Sequence, residues 1–104
     1  MIARIWRGTT DAARAEEYVR FLEGTGLREY RETPGNRGVL LLRRVQEGRA
    51  EFVTLTLWDS FEAIRRFAGP VPEKAVYYPK DREFLHELSP TVEHFEIVEG
   101  PWSL

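Results

Sequence analysis

The segment Phe52–Trp58, FVTLTLW in sequence, has side chains to bury on both faces of a β-strand. Side chains alternate across a strand with a period of two. The two faces therefore carry Val53, Leu55 and Leu57 on one side and Phe52, Thr54, Thr56 and Trp58 on the other. A one-sided antiparallel sheet would alternate apolar with polar residues. We therefore expect the second face of this sheet to meet another copy of the chain or a ligand.

The composition is that of a folded globular domain and excludes several classes of function. With 104 residues, 42% hydrophobic and 31% charged, the chain is expected to form one domain over residues 1–104 with a modest core. The formal net charge is −2 and basic residues are spread along the chain, which argues against nucleic acid as a partner. The sequence has no cysteine, which excludes disulfides, thiolate metal ligands and a cysteine nucleophile.

Signals for membranes and for secretion are missing from the sequence. The longest apolar run, Val39–Leu42, is far too short to cross a bilayer, so no membrane partner is expected. The segment Met1–Arg7 has no apolar stretch of secretory length, so no signal peptide is predicted. A cytoplasmic location is the default expectation.

The first part of the chain predicts a strand, a helix with one further helical turn, and then two strands. Thr9, Thr10 and Asp11 supply a helix cap and an acidic first turn. The predicted helix has one apolar stripe, formed by Ala12, Ala15, Tyr18, Val19 and Leu22. The predicted elements are a strand over residues 2–8, a helix over 11–23, a further helical turn over 27–32, a turn cluster at 33–38, and strands over 39–46 and 50–58 joined by a hairpin loop.

The second part predicts one helix, an irregular segment and a last strand. Asp59 and Ser60 are expected to cap the helix, with Glu62 at capping-box distance from Asp59. The apolar stripe of this helix is expected to consist of Phe61, Ile64, Phe67 and Ala68. The later elements are an irregular segment over 73–90 with a short helix over 79–88, a strand over 91–99, and a tail in which Trp102 docks onto its own or a partner subunit. In the short helix Phe84, Leu85 and Leu88 are expected to face inward.

This element order, β-α-β-β-α-β, predicts a ferredoxin-like α+β fold with an antiparallel sheet and both helices on one face. The helices can cover one face only, and an apolar second face would be a liability for a monomer. We therefore predict a two-fold homodimer in which two sheets pack face to face into a barrel-like core.

Between Thr54 and Ile64, TLTLWDSFEAI, a strand ends in Trp58 and enters the second helix through a short acidic or serine cap. With this segment and this element order, the chain resembles the antibiotic biosynthesis monooxygenase superfamily of dimeric α/β barrels over nearly its whole length. The resemblance implies that fold. It also implies one activity, the cofactor-independent monooxygenation of polyketide phenols or quinols, for which no cofactor is expected. Many members of the superfamily have no known activity.

The same resemblance argues against haem degradation. The haem-degrading members typically use an Asn on the first strand, a Trp within the second helix and a His after it in an Ala-His pair. Here the first strand offers Arg4, Trp6 and Arg7 and no Asn, and the second helix has no Trp. The stretch 74–77 has no His, and Trp58 lies at a strand end, where it does not match that catalytic Trp.

His94 is the candidate general base. In the predicted last strand it shares a face with Val92 and Glu96. An imidazole with an ordinary pKa of about 6.5 suits proton transfer with a phenolic substrate. The alternative is a half-buried polar residue at a dimer interface, and a one-residue shift in register would reverse its face. His86 is expected to face solvent, and two distant histidines without a carboxylate at ligand spacing predict no metal site.

Four aromatic residues are candidates for binding a flat substrate: Trp6, Trp58, Tyr77 and Tyr78. Trp6 and Trp58 come from strands that are neighbours in this topology, and each is either a stacking surface or a core or dimer contact. Tyr77 and Tyr78 lie in the irregular segment. They either wall a pocket and donate hydrogen bonds to a ligand oxygen, or fill the gap between the second helix and the sheet.

Two arginines, Arg4 and Arg43, lie in strands that otherwise resemble buried strands. Each needs a carboxylate partner or exposure to water, because burying an unpaired charge is costly. Glu96 is the expected partner, and a carboxylate or phenolate of a substrate is the alternative.

The function predicted from the sequence is that of a small homodimer with a pocket for an aromatic or polycyclic molecule between sheet and helices, near Trp58, Tyr77, Tyr78 and His94. If the protein is an enzyme, the resemblance favours a cofactor-independent monooxygenase acting on a phenol or quinol. A non-catalytic small-molecule-binding or structural dimer is the alternative. Isomerase or dehalogenase chemistry on the same barrel would also need one proton-transferring side chain, so the sequence does not separate it from oxygenation.

Overall fold

The fold is known from a computed structural model that describes residues 1–101. Its elements are β1 (Ile2–Asp11), a 3-10 turn (Ala12–Arg14), α1 (Ala15–Gly24), α2 (Gly26–Glu32), β2 (Asn36–Gln46), β3 (Arg49–Trp58), α3 (Phe61–Ala68), a second 3-10 turn (Pro79–Glu83) and β4 (Glu93–Glu96). The antiparallel sheet has the strand order β2-β3-β1-β4. This is the ferredoxin-like arrangement, so the predicted α+β fold class is confirmed. The predicted docking of Trp102 lies outside the described residues.

The sheet has an inner face, covered by helices, and an outer face that no helix of residues 1–101 covers. The inner-face residues of β3 are buried: Ala50, Phe52, Thr54, Thr56 and Trp58. The outer-face residues between them are half-buried: Glu51, Val53, Leu55 and Leu57. On the inner face Tyr18 of α1 packs edge-to-face on Phe52 with 5.3 Å between ring centroids. Phe67 of α3 lies 6.0 Å from Trp58, measured the same way.

The outer face carries an apolar strip, called the outer strip below. It consists of Ala3, Ile5, Leu40, Leu42, Val53, Leu55, Leu57 and Phe95. The strand register aligns Leu40, Leu55 and Ile5 across β2, β3 and β1. Leu40 and Phe95 are 49% and 53% exposed. A continuous apolar strip on a sheet is the kind of surface that a second sheet covers by face-to-face packing.

The first helix begins later than the sequence pattern predicts. The helix predicted over residues 11–23 is preceded by a longer β1, which runs through Asp11, and α1 begins only at Ala15. Thr9 and Thr10 are paired with β3, so their backbones belong to the sheet and do not form a helix cap. Asp11 makes no capping hydrogen bond.

Ser60 caps α3, and Asp59 does not. The Ser60 Oγ accepts the N–H of Ala63 at 3.2 Å, as an N-cap side chain does. Asp59 instead accepts a hydrogen bond from Arg37 at 2.6 Å. The predicted capping box between Asp59 and Glu62 is therefore wrong, because Asp59 lies one residue before the cap position.

Phe61 was predicted to face the core as part of the apolar stripe of α3, and it does not. It is 40% exposed, and Ala63 joins Ile64 and Phe67 as the buried residues of α3. The Phe61 ring lies edge-to-face on the His94 imidazole with 5.3 Å between centroids. Because Phe61 is the first residue of the helix, it reaches over the edge strand β4 instead of the centre of the sheet.

The last strand is shorter than the predicted 91–99. β4 covers only Glu93–Glu96, because its partner β1 begins at Ile2, which lies opposite Glu96. Just before β4, the N–H of Val92 donates to the carbonyl of Glu73 at 2.8 Å. This bond ties the start of β4 to the irregular segment that follows α3.

The irregular segment closes the helical side of the molecule. The short helix predicted over 79–88 is a 3-10 turn over Pro79–Glu83. Behind it Phe84 and Leu85 are buried and Leu88 is half-buried, so the predicted inward direction of these three side chains is confirmed. Residues 75–78 have no regular structure and run along the inner side of the fold, where they form part of the cavity described next.

Candidate ligand-binding cavity

A small cavity lies between the inner face of the sheet and the helical layer. Its wall combines aromatic rings, hydroxyl groups and two charged groups: Arg4, Trp6, Tyr18, Leu22, Gly26, Tyr30, Thr54, Phe67, Val76, Tyr77, Tyr78 and Asp81. Its free volume is about 30 Å³, which is room for one or two water molecules. Three of the residues predicted to bind substrate, Trp6, Tyr77 and Tyr78, are in this wall, and Trp58 and His94 are not.

Trp6 and Tyr77 form one corner of the cavity. The indole Nε1 of Trp6 donates to the Tyr77 hydroxyl at 3.1 Å, and this hydroxyl donates to the carbonyl of Ser89 at 2.6 Å. The two rings meet edge-to-face with 6.3 Å between centroids. Gly8 makes room for the indole, because a Cβ at that position would lie 2.5 Å from the Trp6 ring. The corner is thus held by a hydrogen-bond chain that a ligand could replace.

Asp81 is the acidic group of the wall, and two hydrogen bonds satisfy it. It is 3% exposed. Its carboxylate accepts the Tyr18 hydroxyl at 3.0 Å and the backbone N–H of Tyr78 at 2.7 Å. Burial raises the pKa of Asp81 above its usual range, and these two bonds oppose the shift. The carboxylate fixes the start of the 3-10 turn beside the cavity.

The tyrosine hydroxyls around the cavity stay protonated at neutral pH and act as hydrogen-bond donors. Burial is the main cause that raises the pKa of Tyr18, Tyr30, Tyr77 and Tyr78 above the usual value of a phenol. The Tyr78 hydroxyl donates to the carboxylate of Glu29 on α2. A desolvated phenol that stays protonated can donate a hydrogen bond to an oxygen of a ligand.

Arg4 is the basic group of the wall, and it has no carboxylate partner within 4.0 Å among residues 1–101. It is 1% exposed. One Nη donates to the carbonyl of Lys74 at 2.9 Å, and the guanidinium lies 5.4 Å from the Phe67 ring centroid. Its buried Nε has no hydrogen-bond partner in the described part of the chain. Burial lowers the pKa of Arg4, but a guanidinium stays charged in proteins.

The prediction that Glu96 is the partner of Arg4 was wrong. Glu96 is exposed and lies opposite Ile2 in the β1–β4 ladder. Arg43, the other arginine expected to need a partner, is exposed and pairs with Glu16 of α1. Arg43 therefore follows the ordinary pattern of a surface ion pair, and Arg4 is the exception.

His94 lies on the inner face, directly opposite Arg4 in the β1–β4 ladder. It is half-buried, and its Nε2 is buried without a hydrogen-bond partner among the described residues. Burial lowers the pKa of His94; the charge of Arg4 lowers it further, and Glu73 opposes both. The imidazole is therefore a neutral base at pH 7. Its role as a general base stays a prediction.

Trp58 lies in the core below the cavity. It is completely buried, and its indole Nε1 donates to the Thr56 hydroxyl at 2.8 Å. Its ring packs against Tyr30 and Phe67, with centroids 6.3 and 6.0 Å away. Trp6 and Trp58 share the inner face of paired strands, as predicted, but they contact different rings. Trp58 therefore occupies the position of a core contact, which was the alternative to a ligand-stacking role.

His86 is exposed, as predicted, but it is not free. Its Nδ1 lies 3.0 Å from the Thr9 hydroxyl and its Nε2 lies 2.8 Å from the Asp11 carboxylate. Its backbone N–H donates to the carbonyl of Thr9 at 2.9 Å. These bonds fasten the chain after the second 3-10 turn to the end of β1.

Sequence reasoning missed three ionisable residues of the cavity wall, Tyr18, Tyr30 and Asp81. Tyr18 was grouped with the apolar stripe of its helix, and Tyr30 and Asp81 were not singled out. Asp81 had a detectable signal, because it lies three residues after Tyr78, where an acidic side chain can reach back to a backbone N–H. The two tyrosines had none, because their hydroxyl partners come from distant parts of the chain.

No group of three or more His, Cys, Asp or Glu side chains in residues 1–101 is placed to hold a metal ion. No helix in that range is long and apolar enough to cross a membrane.

Comparison with solved structures shows that this chain shares its fold with several of them over nearly its whole length. Rv0793 of Mycobacterium tuberculosis has a similar structure, with a TM-score of 0.64 and 20% identity, over 97% of this chain and 98% of that one. A Bacillus cereus protein provisionally named an antibiotic biosynthesis monooxygenase has a TM-score of 0.61 and 16% identity, over 98% and 97%.

A third similar structure is that of the haem degrader MhuD of Mycobacterium tuberculosis with two haems bound in its active site. It has a TM-score of 0.58 and 21% identity, over 96% of this chain and 98% of that one. No protein-family model matches the chain, and no curated protein matches it significantly. At these identities the similarities establish the fold.

Proposed function

We propose that this protein is a homodimer in which each subunit binds an aromatic small molecule in the cavity between sheet and helices, and that it oxidises an electron-rich phenol or quinol with O₂ without a cofactor. The observation that carries the proposal is the composition of the cavity wall. Protonated tyrosine hydroxyls and aromatic rings surround the space beside Arg4, a cation with no carboxylate partner among residues 1–101. Pockets that orient small molecules combine an apolar lining with a few convergent polar groups in this way.

The similar structures support a flat ligand. MhuD holds haem in one structure, and a mutant of MhuD holds manganese protoporphyrin IX in another. Both ligands are planar and polycyclic. We do not extend haem degradation to this chain, because the Asn, Trp and His that the resemblance requires are replaced by other residues.

A ring can enter only if the cavity widens, because drug-sized ligands occupy pockets of roughly 300 Å³ or more. In the proposed opening, the side chains of segment 75–78 move. The segment lacks regular structure, and hydrogen bonds from Ala75 to Pro90 and from Tyr78 to Asp81 fix its backbone ends. The side chains of Tyr77 and Tyr78 are held by hydrogen bonds to Ser89 and Glu29. Displacing these side chains would open the cavity next to Trp6. The opposite wall is formed by β1 and β3 and stays fixed.

The proposed reaction balances without a cofactor. In an anthrone-type substrate the ring CH₂ loses a proton, and the resulting carbanion gives electrons to O₂. One oxygen atom becomes the new carbonyl and the other leaves as water. The protein would contribute His94 as the neutral base, tyrosine hydroxyls as donors to the substrate oxygen, and a site shielded from water.

Oxygen uptake tests this proposal. With a panel of anthrones and dihydroxynaphthalenes, the protein should consume O₂ well above buffer. His94→Gln should lower kcat/KM by about 100-fold, since positioned proton transfer contributes that much or more. His86→Gln is the matched control and should stay within about twofold, because His86 is exposed and bonded to Thr9 and Asp11, whereas His94 lies opposite Arg4, a residue of the cavity wall. Because the pKa of His94 is lowered, activity should persist below pH 6.5 and fall only at more acidic pH, when the imidazole gains its proton.

Two outcomes would contradict the proposal. The oxidation would be ruled out if no substrate of the panel raised O₂ uptake above buffer. The role of His94 would be ruled out if His94→Gln kept full activity while remaining folded. Binding of the same aromatics without O₂ uptake would favour the alternative, a non-catalytic binding module on the same fold.

The homodimer is proposed from the outer strip. Two copies that pack these strips together would bury Leu40, Leu55 and Ile5 of each subunit at the centre of the interface. Charged residues flank the strip, since Arg7 pairs with Glu93 on the same face. An apolar centre with a charged rim is the usual composition of a stable interface.

A further inference from the structure

We propose that the ligand of the cavity carries an anionic oxygen, as a carboxylate or a phenolate on its aromatic ring, and that Arg4 is the residue that binds it. The inference rests on the proposed function, because it takes the cavity to be the ligand site. It adds the charge of the ligand and the residue that recognises it.

The buried charge of Arg4 is the first observation. The side chain is 1% exposed and lies in the cavity wall. Burying a guanidinium costs free energy unless a counter-charge and hydrogen bonds compensate for it. Within residues 1–101 it has one hydrogen bond, to the carbonyl of Lys74, and a ring contact with Phe67. The buried Nε has no partner in that range, so the group can accept an anion.

The other charged and ionisable groups of the wall do not supply the missing counter-charge. Asp81 is engaged by the Tyr18 hydroxyl and the Tyr78 N–H, and it forms no ion pair with Arg4. Tyr30 lies next to Arg4, but burial raises its pKa and keeps its hydroxyl neutral. Glu29, which accepts the Tyr78 hydroxyl, also makes no ion pair with Arg4.

The position of Arg4 suits an anchor for a ligand. It lies on β1, between β3 and β4, with Thr56 and His94 as its ladder partners. Its backbone is therefore fixed by two neighbouring strands, whereas segment 75–78 on the other side of the cavity has no regular structure. An anionic oxygen held at Arg4 would place the attached ring among the hydroxyls of the wall. The anchor would then stay in place while the opposite wall opened.

Binding of a matched pair of probes tests the inference. By isothermal titration, 2-naphthoate should bind the wild-type dimer at least about tenfold more tightly than neutral 2-naphthamide, the ratio expected for one charge-assisted hydrogen bond. Arg4→Gln should abolish this preference, so that the two probes bind the variant with similar affinity. Arg4→Lys should keep part of it. Arg43→Gln, which removes an exposed arginine, should leave the preference unchanged. The dependence of 2-naphthol binding on its own ionisation distinguishes phenolate from carboxylate recognition.

The outcomes separate this inference from the proposed function. Binding of both probes with equal affinity would overturn the role of Arg4 and leave the cavity as a ligand site. Failure of every probe, neutral or charged, to bind would overturn the cavity itself. If Arg4→Gln does not fold, the preference for naphthoate over naphthamide is compared among the wild type, Arg4→Lys and Arg43→Gln. The proposal is contradicted if Arg4→Lys leaves the wild-type preference wholly unchanged at pH 7 and Arg43→Gln abolishes it. That result would place the anion at Arg43.

Discussion

Trp58→Ala is expected to lower the free energy of unfolding by about 3–5 kcal/mol, the usual cost of truncating a buried tryptophan. Trp58 is completely buried, and its ring packs against Tyr30 and Phe67. Removing the ring leaves a cavity below α3 and takes away the hydrogen bond from its indole to Thr56. Because small domains are stable by only about 5–15 kcal/mol, much of the protein's stability would be lost.

Urea unfolding followed by circular dichroism measures this effect. Phe61→Ala is the matched control, because this aromatic residue is the first residue of α3 and is 40% exposed; the change should cost about 1 kcal/mol or less. Trp58→Phe should lie between the two. If Trp58→Ala cost no more than Phe61→Ala but abolished ligand binding, Trp58 would be a binding residue, as first predicted from the sequence, and not a core residue.

Leu40→Glu is expected to convert the proposed homodimer into a monomer. Leu40 is 49% exposed within one subunit, so a glutamate there is tolerated by the folded chain. In a two-fold interface both copies of the charge would be buried in the apolar centre. An unpaired buried charge costs several kcal/mol, and about 3 kcal/mol weakens a dimer by more than 100-fold.

Sedimentation at micromolar concentration shows the result. The wild type should sediment at twice its chain mass of 12.2 kDa and the variant at the chain mass. Val71→Glu, a change of similar chemistry at a position that is 53% exposed and lies after α3, should remain dimeric. A wild type that sediments as a monomer, or a Leu40→Glu variant that remains a dimer, would contradict the assignment of the outer strip to an interface.

The fold could be predicted from the sequence because its main signals are local. The alternation from Phe52 to Trp58 reports the period of a strand, and the structure separates its two faces as the pattern predicts. The stripe that contains Tyr18 and Leu22 reports the period of a helix, and both residues are buried. The errors are at element ends. Thr9 and Asp11 are good helix caps by residue type, but pairing with β3 extends the strand through them.

The cavity could be predicted only in part, because distant segments build it. Tyr77 and Tyr78 could be singled out because they lie in an irregular segment, and loops on a rigid scaffold often carry functional residues. Asp81 and Tyr18 acquire their roles from a hydrogen bond between residues 63 positions apart. The need of Arg4 for a partner was visible in the sequence, but the absence of a carboxylate beside it in residues 1–101 depends on how β1 and β4 align. The roles of His94, Trp6, Tyr77 and Tyr78 in binding or catalysis stay predictions.

The measurement that tests the central claim most directly is an NMR titration with flat aromatic acids and phenols, in which the indole N–H signals of Trp6 and Trp58 are followed. The Trp6 indole donates to Tyr77 at the cavity wall, and the Trp58 indole donates to Thr56 in the core. Ligand entry beside Tyr77 should shift the Trp6 signal saturably and leave the Trp58 signal nearly unchanged, and Trp6→Phe and Trp58→Phe variants assign the two signals. A Trp6 signal that does not move at saturating concentrations of any probe would contradict a ligand site in this cavity.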